Sequence, residues 1–281
     1  MFLKFFGLRE QPFGVTPDPR FLYLSAGHRE VLTSLYGGIE ADRNFLGLIA
    51  KPGVGKTTIL FYLMERLRTS AHTAFVFQTQ CNSREFLHFL LGYEGDRQEF
   101  NRRLLAQARA GQHMIIVIDE AQNLMPEVLE TVRLLSAFET PAANLTHIIL
   151  AGQPQLADTL EMPDLAQLRK RVSIVHLEPL PSGEIKNYIE HRLKVAGYKG
   201  DPLFTPEVYQ AIATFSQGAP RNVNNFCFNA LSLTYALQKR VVDMDVAAEV
   251  MEDLDILTSS CGARIESAGI ELSSPLSSTG Q

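Results

Sequence analysis

Apolar residues follow two rhythms along this chain, and the change between them divides it. From about residue 45 to residue 176, short unbroken apolar runs alternate with longer stretches whose apolar positions recur every three or four residues. The runs are Phe45–Ala50, Thr73–Phe77, Met114–Ile118, Thr146–Ala151 and Val172–His176. A strand covered on both faces reads this way, because it has no solvent side to alternate with. The stretches between predict helices near 56–69, 83–92, 97–110 and 126–138, and a short one ending near Arg171. Ser25 is placed to cap an earlier helix running to about Ile39. Strands alternating with helices predict an α/β fold with a parallel five-stranded sheet over residues 44–180.

After Leu180–Pro181 the strand rhythm stops. Ile185, Tyr188, Ile189, Leu193 and Ala196 share one face of a helix near 183–196. Thr205-Pro206-Glu207 offers a cap, a proline at the first helical position and an acid in the first turn. Two more helices are expected from near Pro220 and over about 243–254. Residues 181–257 therefore predict a small all-helical domain. Residues 1–43 combine a Phe- and Pro-rich segment (Phe5, Phe6, Phe13, Phe21) with the helix after Ser25, and are expected to pack on the core. Residues 258–281 are serine-rich with little apolar content, and predict a disordered tail.

The junction of the first run with the helix after it carries the strongest chemistry. Residues 50–58 read Ala-Lys-Pro-Gly-Val-Gly-Lys-Thr-Thr. A strand, a glycine-bearing loop and a helix in that order form a phosphate cradle. Gly53 and Gly55 let the backbone curl close to an anion, and the N–H groups through Val54 and Thr58 face it together with the helix N-terminus. Lys56 would reach the β and γ phosphates, and the Thr57 hydroxyl would sit on Mg²⁺. Ala50 replaces the usual first glycine and adds only a methyl at the strand's end.

The run Met114–Ile118 ends in Asp119-Glu120. Two carboxylates at the tip of a buried strand are costly unless a metal or a water reaction uses them. Asp119 is read as the Mg²⁺ ligand and Glu120 as the residue that polarises the attacking water. Gln153, in Ala151-Gly152-Gln153-Pro154, would face the γ-phosphate from the neighbouring strand; the plainer reading is a strand-to-helix turn. Arg169 and Arg171 either form a solvated basic helix end or reach the nucleotide of a neighbouring subunit. Arg221, at the start of a helix in the second domain, would reach the γ-phosphate across the cleft; the plainer reading is a surface ion pair. Phe13, Phe21 and Tyr23, with His28, either pack in the core or wall the adenine base.

Composition sets outer limits. The chain has 281 residues, 46% of them hydrophobic, enough for one large domain and one small one. A net charge of −5 gives no general attraction to nucleic acid or to an anionic membrane. No apolar run approaches the about 20 residues that span a bilayer, and the N-terminus lacks the pattern of a signal peptide. Cys81, Cys227 and Cys261 have neither metal nor redox spacing. These features predict a soluble cytoplasmic protein.

Several stretches together resemble the AAA+ ATPases of the ExeA/GspA general-secretion type. They are Phe5-Phe6-Gly7-Leu8, Thr16-Pro17-Asp18-Pro19-Arg20-Phe21-Leu22-Tyr23-Leu24-Ser25, Asp119-Glu120-Ala121-Gln122-Asn123-Leu124, Gly152-Gln153-Pro154-Gln155-Leu156, Gln167-Leu168-Arg169-Lys170-Arg171 and Gly218-Ala219-Pro220-Arg221-Asn222-Val223-Asn224. The resemblance covers roughly residues 1–256. It implies a P-loop NTPase (AAA+) core with a helical lid, ATP hydrolysis with Mg²⁺ in a homo-oligomeric ring, and sensor roles for Gln153 and Arg221. Full secretion ATPases of this type carry a transmembrane segment and a peptidoglycan-binding part, and this sequence shows neither. Attachment to the inner membrane, or to an envelope-assembly protein, is therefore expected through a partner. Two further readings stay open. One is a TniB-like, ATP-dependent DNA-binding regulator of transposition, which the acidic composition disfavours. The other is an ATP-switched scaffold with weak turnover.

Overall fold

The computed structural model describes residues 2–77, 79–109, 112–136, 139–140 and 143–254. The predicted serine-rich tail and Cys261 lie outside these residues, as do the last positions expected of the helices ending near 110 and 138.

The strands are β1 (Phe45–Ala50), β2 (Ala71–Val76), β3 (His113–Ile118), the two-residue strands β4 (Glu139–Thr140) and β5 (Ala143–Asn144), β6 (Thr146–Gly152) and β7 (Val172–Leu177). Five of them form one sheet in the order β2-β3-β6-β1-β7, and every neighbouring pair is parallel. β4 and β5 pair as a separate antiparallel hairpin that the apolar pattern does not foretell.

Alternate residues of the central strands supply two cores. Met114, Ile116, Ile118, Ile148 and Leu150 face the helices Ser83–Leu91, Arg97–Arg109 and Pro126–Ser136. Ile115, Val117, Ile149, Leu46 and Leu48 face the helices Ala26–Glu40 and Lys56–Leu67. Both faces are covered, which is why these strands read as unbroken apolar runs. Ser25 caps the Ala26–Glu40 helix, its hydroxyl accepting from the His28 N–H.

The helices Ile185–Val195, Pro206–Ser216 and Pro220–Ala236, with helical residues 244–254, enclose a third core. Thr205 takes the cap position of the second, with Pro206 and Glu207 in its first turn, but its hydroxyl makes no cap bond. Phe6, Phe13 and Phe21 were expected against the α/β core; with Leu8 they lie instead in this helical core, where Phe13 meets Phe204 edge to face. Leu22, just beyond them, belongs to the core under the sheet. The N-terminal segment thus runs from one core to the other, past the carboxyl ends of the strands. Open parallel sheets bind ligands at that end.

Candidate functional site

β3, β6 and β1 are neighbours, so the loops leaving their carboxyl ends converge. Ala50 closes β1, and Gly53 and Gly55 follow with φ of 78° and 107°. Residues with a Cβ rarely adopt these angles, so both glycines serve the curl of the loop. Gly55 then opens the helix that begins at Lys56. Lys56 is 5% exposed, and its Nζ lies 3.7 Å from Glu120 Oε1, an ion pair rather than a hydrogen bond. The Thr57 hydroxyl donates to Asp119 Oδ2 at 2.6 Å, and Asp119 is 5% exposed.

Glu120 follows β3 in a left-handed conformation, φ 52° and ψ 39°. Its backbone N–H donates to Asp119 Oδ1. Gln122 Nε2 donates to Glu120 Oε2 at 2.6 Å, and Gln153 Nε2 donates to the same oxygen at 3.1 Å. Burial pushes the Glu120 carboxyl upward; the two amide donors and the Lys56 charge outweigh it and leave the group below the usual carboxylate range.

The helical part closes the site from above. The Arg221 N–H donates to the Gly53 carbonyl at 3.1 Å, and a Cβ built on Gly53 would stand 3.0 Å from Arg221 Cβ. A cleft of about 360 Å³ lies between. Its phosphate-loop end holds Gly53, Gly55, Lys56, Thr57, Thr58, Glu120, Gln153 and Arg221. Val54 is buried behind it in the core under the sheet. At the other end are Gly14–Asp18 of the N-terminal segment with Tyr188, Arg192 and Asn224 of the helical part.

Phe13 and Phe21 do not line this cleft; they are buried in the helical core, which corrects their reading as a base wall. Tyr23 packs edge to face on Tyr188, one layer behind the cleft. His28 Nδ1 meets Ser25 Oγ at 2.6 Å, and its Nε2 faces the back of the loop at Gly55. Arg169 and Arg171 are exposed and lie outside the lining of the cleft.

The sequence pattern does not single out Tyr188, Arg192 or Gln122. Arg192 is 8% exposed, donates to the Pro12 carbonyl at 2.6 Å and lies over the Phe21 ring. Tyr188 OH donates to Asn224 Oδ1 at 2.9 Å. The available signal was the spacing of Tyr188 and Arg192, four residues apart on one helix face. Among the described residues no cluster of three or more His, Cys, Asp or Glu could hold a metal. The Thr57–Asp119 pair offers hard oxygen donors, which suits Mg²⁺ shared with phosphate and water.

Comparisons with known proteins identify the family and the fold. Residues 39–160 match the family described as AAA domain. Over 265 residues, 90% of this chain, the sequence is 35% identical to General secretion pathway protein A of Aeromonas hydrophila; the chain spans 48% of that protein, about half its length. Among solved structures, the fold matches the Aeropyrum pernix ORC2 protein with a TM-score of 0.68 at 16% identity, over 86% of this chain and 71% of that one. Drosophila ORC bound to DNA matches at 0.66 and 15%, over 86% of this chain and 64% of that one. The Thermotoga maritima RuvB Holliday junction branch migration motor matches at 0.54 and 17%, over 81% and 68%. At these identities the three structures share the fold with this chain. The parallel sheet, the phosphate loop and the helical part are those of an AAA+ P-loop NTPase.

Proposed function

From the premise that this chain is an AAA+ P-loop protein similar to General secretion pathway protein A, we propose that it binds and hydrolyses ATP with Mg²⁺ and couples turnover to movement of its helical part. One observation carries this reading: Lys56, Thr57, Glu120, Gln153 and Arg221, drawn from four separate stretches of sequence, line one end of a single cleft, and Asp119 is bonded to Thr57 beside it. Lys56 and the loop N–H groups bind the phosphates. Thr57 and Asp119 would hold Mg²⁺, which would supply neutralisation of phosphate charge. Glu120 orients the attacking water, and Gln153 fixes the far side of that carboxylate. Arg221 stands where phosphate occupancy and lid position can be linked, through its side chain in the cleft and its N–H on Gly53.

The process served is read from the secretion relative. The chain is proposed to act in a secretion or cell-envelope assembly system, as a cytoplasmic oligomer held at the inner membrane by a partner protein. Among the described residues no helix is long and apolar enough to cross a membrane. Binding to inner-membrane vesicles that carry the partner, and not to vesicles without it, is the expected result.

Calorimetry with Mg-ATP tests the activity at its base. Uptake of one nucleotide per chain is expected, with Lys56→Ala weakening it at least about tenfold. Glu120→Gln is expected to bind like the parent and to lose turnover by about 100-fold or more. A chain that takes up neither ATP nor ADP, or a Glu120→Gln variant that turns over at the parent rate, sinks the reading.

A further inference from the structure

Gln122 occupies the space between the ends of β3 and β6, and its amide is fixed at both ends. Nε2 donates to Glu120 Oε2 at 2.6 Å, and Oε1 accepts from the Gln153 N–H at 3.0 Å. The first partner can only accept and the second can only donate, so the amide has one permitted orientation. Gln153 Nε2 reaches the same Glu120 oxygen at 3.1 Å. Gly152 makes room for this bridge: a Cβ there would stand 2.7 Å from Gln122 Oε1. Glu120 itself sits in a left-handed conformation that a non-glycine residue keeps only when its surroundings hold it.

We propose that Gln122 is a positioning residue for hydrolysis, whose amide, anchored on the β6 end, sets the direction in which the Glu120 carboxylate points. The proposal rests on the reading of Glu120 as the group that orients the attacking water. With Oε2 bound by two amides, Oε1 is the oxygen left to face the cleft, where Lys56 now meets it. Without Gln122 the carboxylate keeps one amide donor and can rotate about its side-chain bonds. Gln122 is absent from the cleft lining, so a nucleotide seated in the cleft would not touch it. Gln122 should therefore affect the rate at saturation and leave nucleotide affinity alone.

Single-turnover hydrolysis with the protein in excess tests this on the full chain. Gln122→Glu keeps an acceptor for the Gln153 N–H but replaces the donor to Glu120 with a second carboxylate, adding charge beside it; Gln122→Met loses both bonds without adding charge. Both variants are expected to lower the maximal rate about 10- to 100-fold, in the range of other residues that orient a catalytic group. The half-saturating concentration, ADP affinity and thermal midpoint of Gln122→Glu are expected within about twofold or a few degrees of the parent. Gly152→Ala, which pushes on the amide from below, is expected to lower the rate in the same direction. A Gln122→Glu rate equal to the parent's, beside an inactive Glu120→Gln, overturns the positioning role and spares the Glu120 assignment. A fall in ADP affinity matching the fall in rate shows a structural role and overturns it as well. An active Glu120→Gln variant removes the premise instead.

Discussion

His28 lies beneath the phosphate loop, 3% exposed, with Ser25 on one ring nitrogen and the loop at Gly55 on the other. Burial lowers its pKa from 6.5 to about 4. The unfolded chain therefore takes up this proton first as pH falls. The contribution to stability is full above 6.5, shrinks from there to about 4, and changes no further below that. The loss reaches up to about 3 kcal/mol. Urea unfolding at pH 7.5 and 5 should show a smaller difference for His28→Gln than for the parent, with a residual slope from His147 and His191, which burial also lowers. Equal slopes in the two proteins would refute the account. At this scale the phosphate-loop residues were legible because each type has few other uses in a strand-loop-helix setting. Tyr188 and Arg192 were not. A tyrosine on an apolar helix face reads as core, and an arginine one turn later reads as a chain lying along that core to reach water. Only the path of the N-terminal segment, which brings the Pro12 and Gly14 carbonyls to Arg192, turns that arginine inward.

Between β7 and the helical part runs a connection fastened by a single glycine. Leu180 donates its N–H to the Gly218 carbonyl at 2.9 Å, and Gly218 has φ 75°. A Cβ at Gly218 would fall 2.2 Å from the Leu180 carbonyl oxygen, a backbone atom that cannot step aside. The same turn leads directly into Pro220 and Arg221, so its shape sets where Arg221 meets Gly53. Gly218→Ala should cost about 2 kcal/mol or more, from the left-handed backbone and the collision together. Gly183→Ala is the control: nothing stands within 4 Å of its Cβ, and it should stay within about 0.5 kcal/mol of the parent. Denaturant midpoints of the two variants decide it, and a neutral Gly218→Ala would show that the connection is not fixed there. Element types were legible because their periods differ. The β4–β5 hairpin was not, since two-residue strands carry no period. Nor was the placement of Phe13 and Phe21. Apolar content says that a segment is buried and leaves open which of two cores receives it.

On the scale of the whole molecule, the cleft holds cations from its own chain, Lys56, Arg221 and Arg192, while Arg169 and Arg171 stand exposed elsewhere. A transition state that spreads charge over the γ-phosphate gains from one more arginine, by about a thousandfold or more where such a residue acts. If Arg171 supplies it, the site is complete only across a subunit boundary, and turnover belongs to the ring. Two inactive variants can then repair each other. Lys56→Ala has a spoiled nucleotide site and an intact arginine; Arg171→Ala has an intact site and no arginine to lend. Mixed in equal amounts with ATP, the two should hydrolyse faster than the sum of the separate rates, because some interfaces pair the good site with the good arginine. The gain should disappear on dilution below the concentration at which mass measurements show single chains. Arg169→Ala, run in the same way, assigns the role to one of the two. Parent-level turnover by both arginine variants would place the missing charge within the chain, and Arg221, already against the phosphate loop, would be the residue to change next.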